Sequence, residues 1–395
     1  MKKVRILACL MVLGMLVPAI MSISGHLPSN TQSLIEKKYG DWAGVIRMWI
    51  CEGWPTGAGS IAAWLNPCLR RYEKEHPGVY IQPEYVDAST LAALGSDGLL
   101  PPDLVLFPPG ALQSPNILFP LEHFAPLRRG LNKSDRAIPI LMGGYMWAYN
   151  AALLDAFPAS WRDAEVAPTL MPDETWRHWS AALLALCSGY SVSNLQNREH
   201  GNAGSLELGL PDDLLPTPSS APPQPPVPCQ LPKGFSASPD AWQDFINGDA
   251  AAMPVTQREV RRLQSLSDQG CDLDWRLGVT GNTFTDQLLY LGIVNRPSPD
   301  EKLALCHALV AHLLSDDCQN TLHRAGAFSV TDIASGYAVG DPLCDMDAML
   351  RANVVCVPGP FDTGWSEDAD NIVRVFLENS IDSAALWRQL SSRLK

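Results

Sequence analysis

The stretch FINGDAAAMPVTQREV (residues 245–260) predicts a helix end, a tight turn, a strand and a second helix start in direct succession. Asn247-Gly248 is a pair typical of the turn that ends a helix, because glycine accepts the left-handed backbone found there. The alanines at 250–252 begin a strand whose small side chains suit a crowded neighbour. A polar helix cap follows. The meaning of this order depends on the elements around it.

Residues 43–110 predict strand, helix, strand, helix, strand. AGVIRMWIC (43–51), VYIQPEYVD (79–87) and PPDLVLFPPG (101–110) predict the strands, and TLAALGSDG predicts the short second helix. The first helix starts at Ser60 and ends at a Pro-Gly pair. Its apolar residues recur at spacings of three and four: Ile61, Trp64, Leu65, Cys68, Leu69 and Tyr72. This alternation predicts a parallel α/β sheet.

The later part of the chain continues the alternation. AIPILMGGYMWAYNAALLDAFP (137–158) predicts a long extended segment running into a helix, and RLGVTGN and QLLYLGIVN predict strands joined by a loop. Further helices are predicted at 172–189, in a pair at 298–330, and in the tail at 370–395. Ser298 and Glu301 give the helix pair a capping signal.

Two segments stand apart from this pattern. Residues 1–25 begin with basic residues and continue as an uncharged apolar run, typical of either a secretory signal peptide or an uncleaved membrane anchor. Residues 203–240 include PTPSSAPPQPPVPCQLP, whose prolines predict a polyproline-like or disordered insertion. We therefore expect the bulk of the chain outside the cytoplasm.

Composition limits the partners. A chain of 395 residues predicts two lobes, and a formal net charge of −13 argues against nucleic acid. Of the ten cysteines, most are expected to be small buried apolar residues. An exported chain also permits disulfides, and Cys344 and Cys356 are the candidate bridge.

Enzyme and metal motifs are missing from the sequence. It contains no G-x-S-x-G elbow, H-E-x-x-H, P-loop or C-x-x-C motif. His307 and His312 are five residues apart, so they do not share a helix face. We expect no metal and no cofactor. Paired carboxylates for glycoside cleavage stay open, because such pairs meet only in three dimensions.

The order of several short motifs resembles the family 1 extracellular solute-binding proteins of ABC importers. The motifs are RRYEKEHPGVYIQPEYVD, PPDLVLF, AIPILMGGYMWAYNAALL, PDETWRHWSAALLAL, FINGDAAAM and AHLLSDDCQNTLHRAGAFSVT. The resemblance covers about residues 40–200 and 238–395. The chain departs from the family in lacking a lipobox and in carrying the proline-rich insertion.

The resemblance implies an α/β, two-lobed periplasmic-binding-protein-like fold of type II, with a hinge of crossing strands. Lobe 1 would comprise 41–145 plus 276–333, and lobe 2 would comprise 146–275 plus 334–395. A small solute, expected to be a saccharide, would bind in the cleft of a monomer that meets permease subunits in the membrane. A degenerate binding-protein fold serving at the surface or with a sensor stays an alternative, as does a secreted carbohydrate-active enzyme.

Sugars present C–H faces and hydroxyl edges, so their clefts pair aromatic rings with polar groups. The candidate rings are Trp54, Tyr145, Trp147, Trp242, Trp275, Phe284 and Trp365. Core packing is the alternative for each of them.

Polar candidates lie near the ends of the first strands. Asp87 and Asp103 could bond a hydroxyl or cap a strand end. Gly57 and Gly59 precede a helix, where an anion could bind.

Overall fold

The computed structural model describes residues 42–94, 100–121, 127–128, 131, 134–157, 170–171, 236–237, 241–279, 283–352, 355–356 and 359–361. The predictions for the N-terminal segment, the helix at 172–189, the tail from 370 and all but two residues of the proline-rich insertion lie outside these residues.

The described residues alternate strands and helices along the chain. The strands are β1 (Gly44–Ile50), β2 (Val79–Tyr85), β3 (Leu104–Phe107), β4 (Ile138–Met142), β5 (Tyr145–Asn150), β6 (Leu170–Met171), β7 (Ser236–Ala237), β8 (Ala252–Thr256), β9 (Trp275–Gly278), β10 (Thr283–Phe284), β11 (Leu288–Ile293) and β12 (Val355–Cys356). The α-helices are α1 (Ile61–Glu75), α2 (Ala88–Ala92), α3 (Ala241–Asn247), α4 (Gln257–Asp268), α5 (Asp300–Leu313), α6 (Asp316–Gln319) and α7 (Pro342–Ala352).

The first sheet has five strands in the order β2-β1-β3-β11-β4. Strands β2, β1 and β3 are parallel to one another, as the strand–helix–strand pattern predicts. Strand β11 runs antiparallel to both β3 and β4. Strand β11 thus joins this sheet from a distant part of the chain and lies between β3 and β4, which both precede it in the sequence.

The second sheet is antiparallel, in the order β8-β5-β9. Strand β4 belongs to the first sheet. After Gly143 and Gly144 the chain enters β5 of the second sheet. The chain returns from β9 to β11 over residues 279–287. Two chain crossings therefore join the sheets, which agrees with the predicted crossing strands. The exact lobe boundaries stay a prediction.

Helix α1 packs on the first sheet through the face that its sequence predicts. The six predicted apolar residues are all buried. Trp64 Nε1 donates to the carbonyl oxygen of Cys318 at 2.9 Å, and the Tyr72 hydroxyl donates to that of Leu305 at 2.7 Å. Burying each large apolar side chain contributes roughly 1.5–3 kcal/mol, so this face holds helix, sheet and the α5–α6 pair together.

The stretch at 245–260 folds as its sequence predicts. Helix α3 ends at Asn247, and Gly248 has φ 82°, the left-handed conformation of a helix-ending turn. Strand β8 begins at Ala252, where the alanine side chains are completely buried. Helix α4 then starts with a capping box between Thr256 and Glu259. Small side chains allow β8 to lie in the core directly before a polar helix.

Two local predictions are wrong. The chain after β5 forms turns through residue 157 rather than a helix, because Asn150 Oδ1 accepts a hydrogen bond from Ala152 N at 2.9 Å and ends the extended segment. Helix α5 begins at Asp300 behind Pro299 and has no side-chain cap, so Ser298 does not cap it.

The predicted bridge between Cys344 and Cys356 is also wrong, because Cys344 has a free thiol. Cys344 lies in the first turn of α7, whereas Cys356 pairs through β12 with β10. Four of the described free cysteines are buried: Cys51, Cys68, Cys306 and Cys318. These four behave as small core residues, the alternative that the sequence also allowed.

Candidate functional site

A cavity of about 680 Å³ lies where the loop after β1 faces helices α3 and α4. Its size falls within the range of about 300–1,000 Å³ that is usual for small-molecule sites. Among the described residues it is lined by Thr56, Gly57, Ala58, Gly59, Trp242, Gln243, Ile246, Arg258, Arg261, Arg262, Ser265 and Leu266. The loop belongs to the first sheet and the two helices flank a strand of the second, so both halves of the fold contribute to this cavity.

The loop wall of the cavity is fixed by backbone hydrogen bonds. Gly57 N donates to the carbonyl oxygen of Gly326 at 3.1 Å, and Ala58 N donates to that of Ala325 at 3.4 Å. Gly326 has φ 64°, and a Cβ atom there would meet the backbone of Gly57 and Ala58. Glycine at 326 therefore permits the close approach that holds this wall in place.

The helix wall carries three guanidinium groups. Arg258, Arg261 and Arg262 follow the start of α4 at spacings of three and four, which places them on one helix face. Arg261 binds Asp341 through two hydrogen bonds, at 2.8 and 2.7 Å. It also lies over the ring of Tyr337, whose pKa is raised by burial. These contacts fix one of the three cations against the segment just before α7.

Trp242 brings an aromatic ring to the same cavity. It is half-buried on α3 and packs against the core. The guanidinium carbon of Arg262 lies 3.9 Å from the centre of its ring, a cation–π contact between α3 and α4. The ring therefore positions Arg262 as well as offering an apolar surface.

A glutamine pair ties the two sheets together beside the cavity. Gln257 Nε2 donates to Gln287 Oε1 at 2.8 Å, and Gln257 Oε1 accepts from Gly144 N at 3.1 Å. Gln257 Nε2 also reaches the carbonyl oxygen of Pro55 at 3.5 Å. Gly143 N donates to the carbonyl oxygen of Gln287 at 2.6 Å. Both chain crossings and the loop after β1 thus share one hydrogen-bond network.

Two of the predicted ring residues, Trp54 and Tyr145, lie close to this network, and a third, Trp147, lies in β5. Trp54 is half-buried, and its Nε1 donates to the carbonyl oxygen of Leu288 at 3.4 Å. Tyr145 is buried, and its hydroxyl donates to Asp286 Oδ1 at 2.8 Å, which links the two crossings. Trp147 is completely buried and packs against Phe157. None of the three lines the cavity described above.

The other predicted rings are dispersed. Trp242 lines the cavity. Trp275 is half-buried on β9, where its Nε1 donates to Ser267 Oγ at 3.0 Å. Phe284 pairs by its backbone with Cys356. Trp365 lies outside the described residues. Ligand binding by all seven rings stays a prediction, and Trp242 is the one that meets the cavity.

The two candidate aspartates have structural partners. Asp87 accepts a hydrogen bond from Thr90 N at 2.7 Å and caps α2; this bond is the main cause of its lowered pKa. Asp103 is buried, pairs with Arg296, and lies 2.8 Å from Lys302 Nζ. Each carboxylate thus stabilises the end of a strand or helix.

Within the described ranges, no group of three or more histidine, cysteine or acidic side chains could hold a metal ion. Across those ranges, no helix combines the length and the apolar character needed to cross a bilayer.

The arginines are the charged lining residues, and the sequence analysis did not select them. The signal that could have found them is their spacing on one helix face directly after β8, within and beyond the stretch at 245–260. Their relation to the loop at 56–59 depends on the tertiary fold, since about 200 residues separate the two segments.

Comparison with known proteins gives the class of the fold. No protein-family profile matches the sequence, and no curated protein matches it. Solved structures do match. A family 1 extracellular solute-binding protein from Bifidobacterium longum subsp. infantis is 14% identical, covers 89% of this chain and 98% of its own, and has a TM-score of 0.58.

Two further structures agree. The sugar-binding protein MalE from Xanthomonas citri is 12% identical, covers 89% of this chain and 96% of its own, with a TM-score of 0.57. The cyclic alpha-maltosyl-1,6-maltose binding protein from Arthrobacter globiformis is 12% identical, covers 90% of this chain and all of its own (100%), with a TM-score of 0.55. The chain therefore has a two-lobed solute-binding fold. More narrowly, it has the fold of the family 1 extracellular solute-binding proteins, as the motif order predicts.

Proposed function

We propose that this chain is the extracytoplasmic substrate-binding component of an ABC importer and that it binds a sugar or oligosaccharide between its lobes. The observation that carries the proposal is the cavity between the loop after β1 and helices α3 and α4, beside both chain crossings. The similar structures support a saccharide ligand, because they include a sugar-binding protein and a cyclic alpha-maltosyl-1,6-maltose binding protein.

The cavity supplies the chemistry that a saccharide needs. Trp242 offers an apolar ring to the C–H face of a pyranose, and Gln243 and the arginines of α4 offer donors to its hydroxyls. A solute that touches both walls binds the closed form better than the open form. It therefore shifts the population by its difference in affinity for the two forms.

The proposed protein acts as a monomer without enzymatic activity and delivers its solute to permease subunits in the membrane. It is secreted or held at the outer face of the membrane by residues 1–25. The basic start and apolar run of that segment support export.

The proposal is tested by thermal unfolding of the purified chain with a panel of neutral and acidic saccharides. A saccharide that binds the native state raises the melting temperature, and the stabilisation grows with the logarithm of its concentration over Kd. Trp242→Ala is expected to weaken binding of that saccharide about tenfold, through loss of ring contact. Tyr80→Ala is the matched control, since Tyr80 is an exposed aromatic residue on β2, outside the cavity.

A panel in which no saccharide raises the melting temperature would overturn the proposal. That result would favour a degenerate binding-protein fold with a surface or sensor role. Turnover of a bound oligosaccharide would instead favour a secreted carbohydrate-active enzyme.

A further inference from the structure

The described lining of the cavity has a positive charge. It contains Arg258, Arg261 and Arg262 but no aspartate or glutamate. The chain as a whole has a formal net charge of −13, so this cluster opposes the sign of the rest of the protein. A general attraction of the protein for anions is therefore not expected, and the positive charge is confined to one place.

The three cations differ in their partners. Arg261 is compensated by Asp341, which holds it in a bidentate ion pair. Among the described residues, neither Arg258 nor Arg262 forms an ion pair, and both side chains are exposed at the cavity. Two positive charges thus face the cavity, and no carboxylate of the described residues forms an ion pair with either.

The geometry of these two residues suits a shared ligand. Arg258 and Arg262 are one helical turn apart on α4, so their side chains project from the same face. The stacking of Arg262 on Trp242 restricts its guanidinium group to the cavity side of α3. A guanidinium group restricted in this way loses less conformational entropy on binding.

The donors and acceptors of the lining point to the kind of ligand. A guanidinium group has five N–H donors and no acceptor, and its planar fork matches a carboxylate or a phosphate. A neutral sugar hydroxyl both donates and accepts, so it does not exploit a wall of donors fully. We propose that the solute is an anionic saccharide whose carboxylate, as in a uronic acid unit, binds Arg258 and Arg262.

This inference rests on the proposed function, because it names the class of saccharide that the same cavity takes. It assigns recognition of the charge to two residues of α4 and recognition of the sugar ring to Trp242. A phosphate ester on a sugar has the same anionic chemistry and is distinguished by the experiment.

The test measures affinity by isothermal titration calorimetry for three ligands of similar size. These are a uronic acid oligosaccharide, its neutral counterpart and a sugar phosphate. The uronic acid oligosaccharide is expected to bind at least tenfold more tightly than the neutral one, since charge-assisted hydrogen bonds are the stronger class. The difference is expected to shrink as salt is added, because salt screens exposed charges.

The variants Arg258→Gln and Arg262→Gln are each expected to weaken binding of the acidic saccharide about tenfold. Binding of the neutral counterpart should weaken less, because glutamine keeps an N–H donor for a hydroxyl. Arg276→Gln is the matched control, because Arg276 is an exposed arginine on β9, outside the cavity, that pairs with Asp274. A circular dichroism spectrum of each variant checks that the fold is retained.

The outcomes separate this inference from the proposed function. Equal affinity for acidic and neutral saccharides, unchanged by the arginine variants, overturns the inference and leaves the proposed function in place. Binding of no saccharide overturns both. Preference for the sugar phosphate over the uronic acid oligosaccharide, lost in the arginine variants, overturns the carboxylate and assigns the charge to phosphate. In a separate titration, equal binding of inorganic phosphate overturns the saccharide part of the inference.

Discussion

Gln257 and Gln287 join the two sheets at the point where the chain crosses between them. Nε2 of Gln257 donates to Oε1 of Gln287 at 2.8 Å, and both side chains are buried. The pair is set against Gly143, where any Cβ atom would collide with the glutamine amides. The crossing is thus held by polar contacts that only glycine allows at this distance.

Replacing Gln257 by alanine is expected to lower the free energy of unfolding by about 1–3 kcal/mol, because Gln287 Oε1 and Gly144 N lose their buried partner. Urea denaturation followed by fluorescence measures the change. Gln269→Ala is the control, since Gln269 is exposed at the end of α4. Equal losses in the two variants would contradict a special role for the glutamine pair.

Gly326→Ala tests the contact that positions the loop wall. The new methyl group would meet the backbone of Gly57 and Ala58, and φ at 326 is 64°. We expect a loss of about 2–4 kcal/mol in stability, from overpacking added to left-handed strain. Gly270→Ala is a matched control, because Gly270 also has positive φ (89°) but has nothing within 4 Å of the added atom. It should lose only about 1 kcal/mol. Thermal unfolding of both variants gives the comparison, and similar melting temperatures would argue against the packing explanation.

Asp347→Ala tests a buried ion pair between the segment at 127–128 and α7. Asp347 Oδ1 lies 2.7 Å from Arg128 Nη2, and the two side chains are only 3% and 4% exposed. Removing the carboxylate leaves a buried, unpaired guanidinium group, so a loss of about 3–5 kcal/mol is expected. Asp317→Ala removes the partner of Arg71 at a carboxylate that is 81% exposed, and it should cost at most about 1 kcal/mol. Chemical denaturation of both variants measures the difference; a small loss at Asp347 would show that water reaches Arg128.

Stability is expected to fall at alkaline pH through the buried Cys306. Burial, followed by the nearby Asp103 carboxylate, raises the pKa of its thiol from 9.0 to about 12. Above pH 9 the unfolded state loses this proton while the folded state keeps it. The unfolded state then binds fewer protons, and the free energy of unfolding decreases by up to about 1.4 kcal/mol per pH unit. The contribution is complete below pH 9 and is lost as the pH rises towards 12.

The Cys306→Ala variant isolates this effect. Between about pH 8 and about pH 10.5, its free energy of unfolding should fall less than that of the unchanged protein, by roughly 2 kcal/mol. Cys344→Ala, at a half-buried thiol in α7, is the control. Identical pH profiles for the protein and the Cys306 variant would rule out this thiol as the source.

Much of the fold could be predicted because its elements have local signals. The periodic face of α1, the Gly248 turn and the parallel β1, β2 and β3 all follow from short stretches of chain. The predictions that were wrong depend on competition between neighbours. Asn150 turns the chain through its own side chain, and Pro299 starts α5 in place of the serine before it.

The candidate site was harder to predict. Aromatic residues were chosen because they suit sugars, but their side chains equally suit a core, and Trp147 is completely buried. The arginines of α4 were not among the candidates, and three cations on a helix usually form a solvated face. Only the position of α4 opposite the loop at 56–59 gives them a cavity to line.

Hydrophobic periodicity and turn residues were enough to predict alternating strands and helices, since those features depend on neighbours in the chain. The solute-binding fold was predicted by the resemblance of the motif order to a known family. Which residues line the cavity was decided by the tertiary structure, because two chain crossings bring the loop after β1 against α3 and α4. The physical reason is that contacts between segments about 200 residues apart depend on how the two sheets pack, and no local pattern encodes that distance.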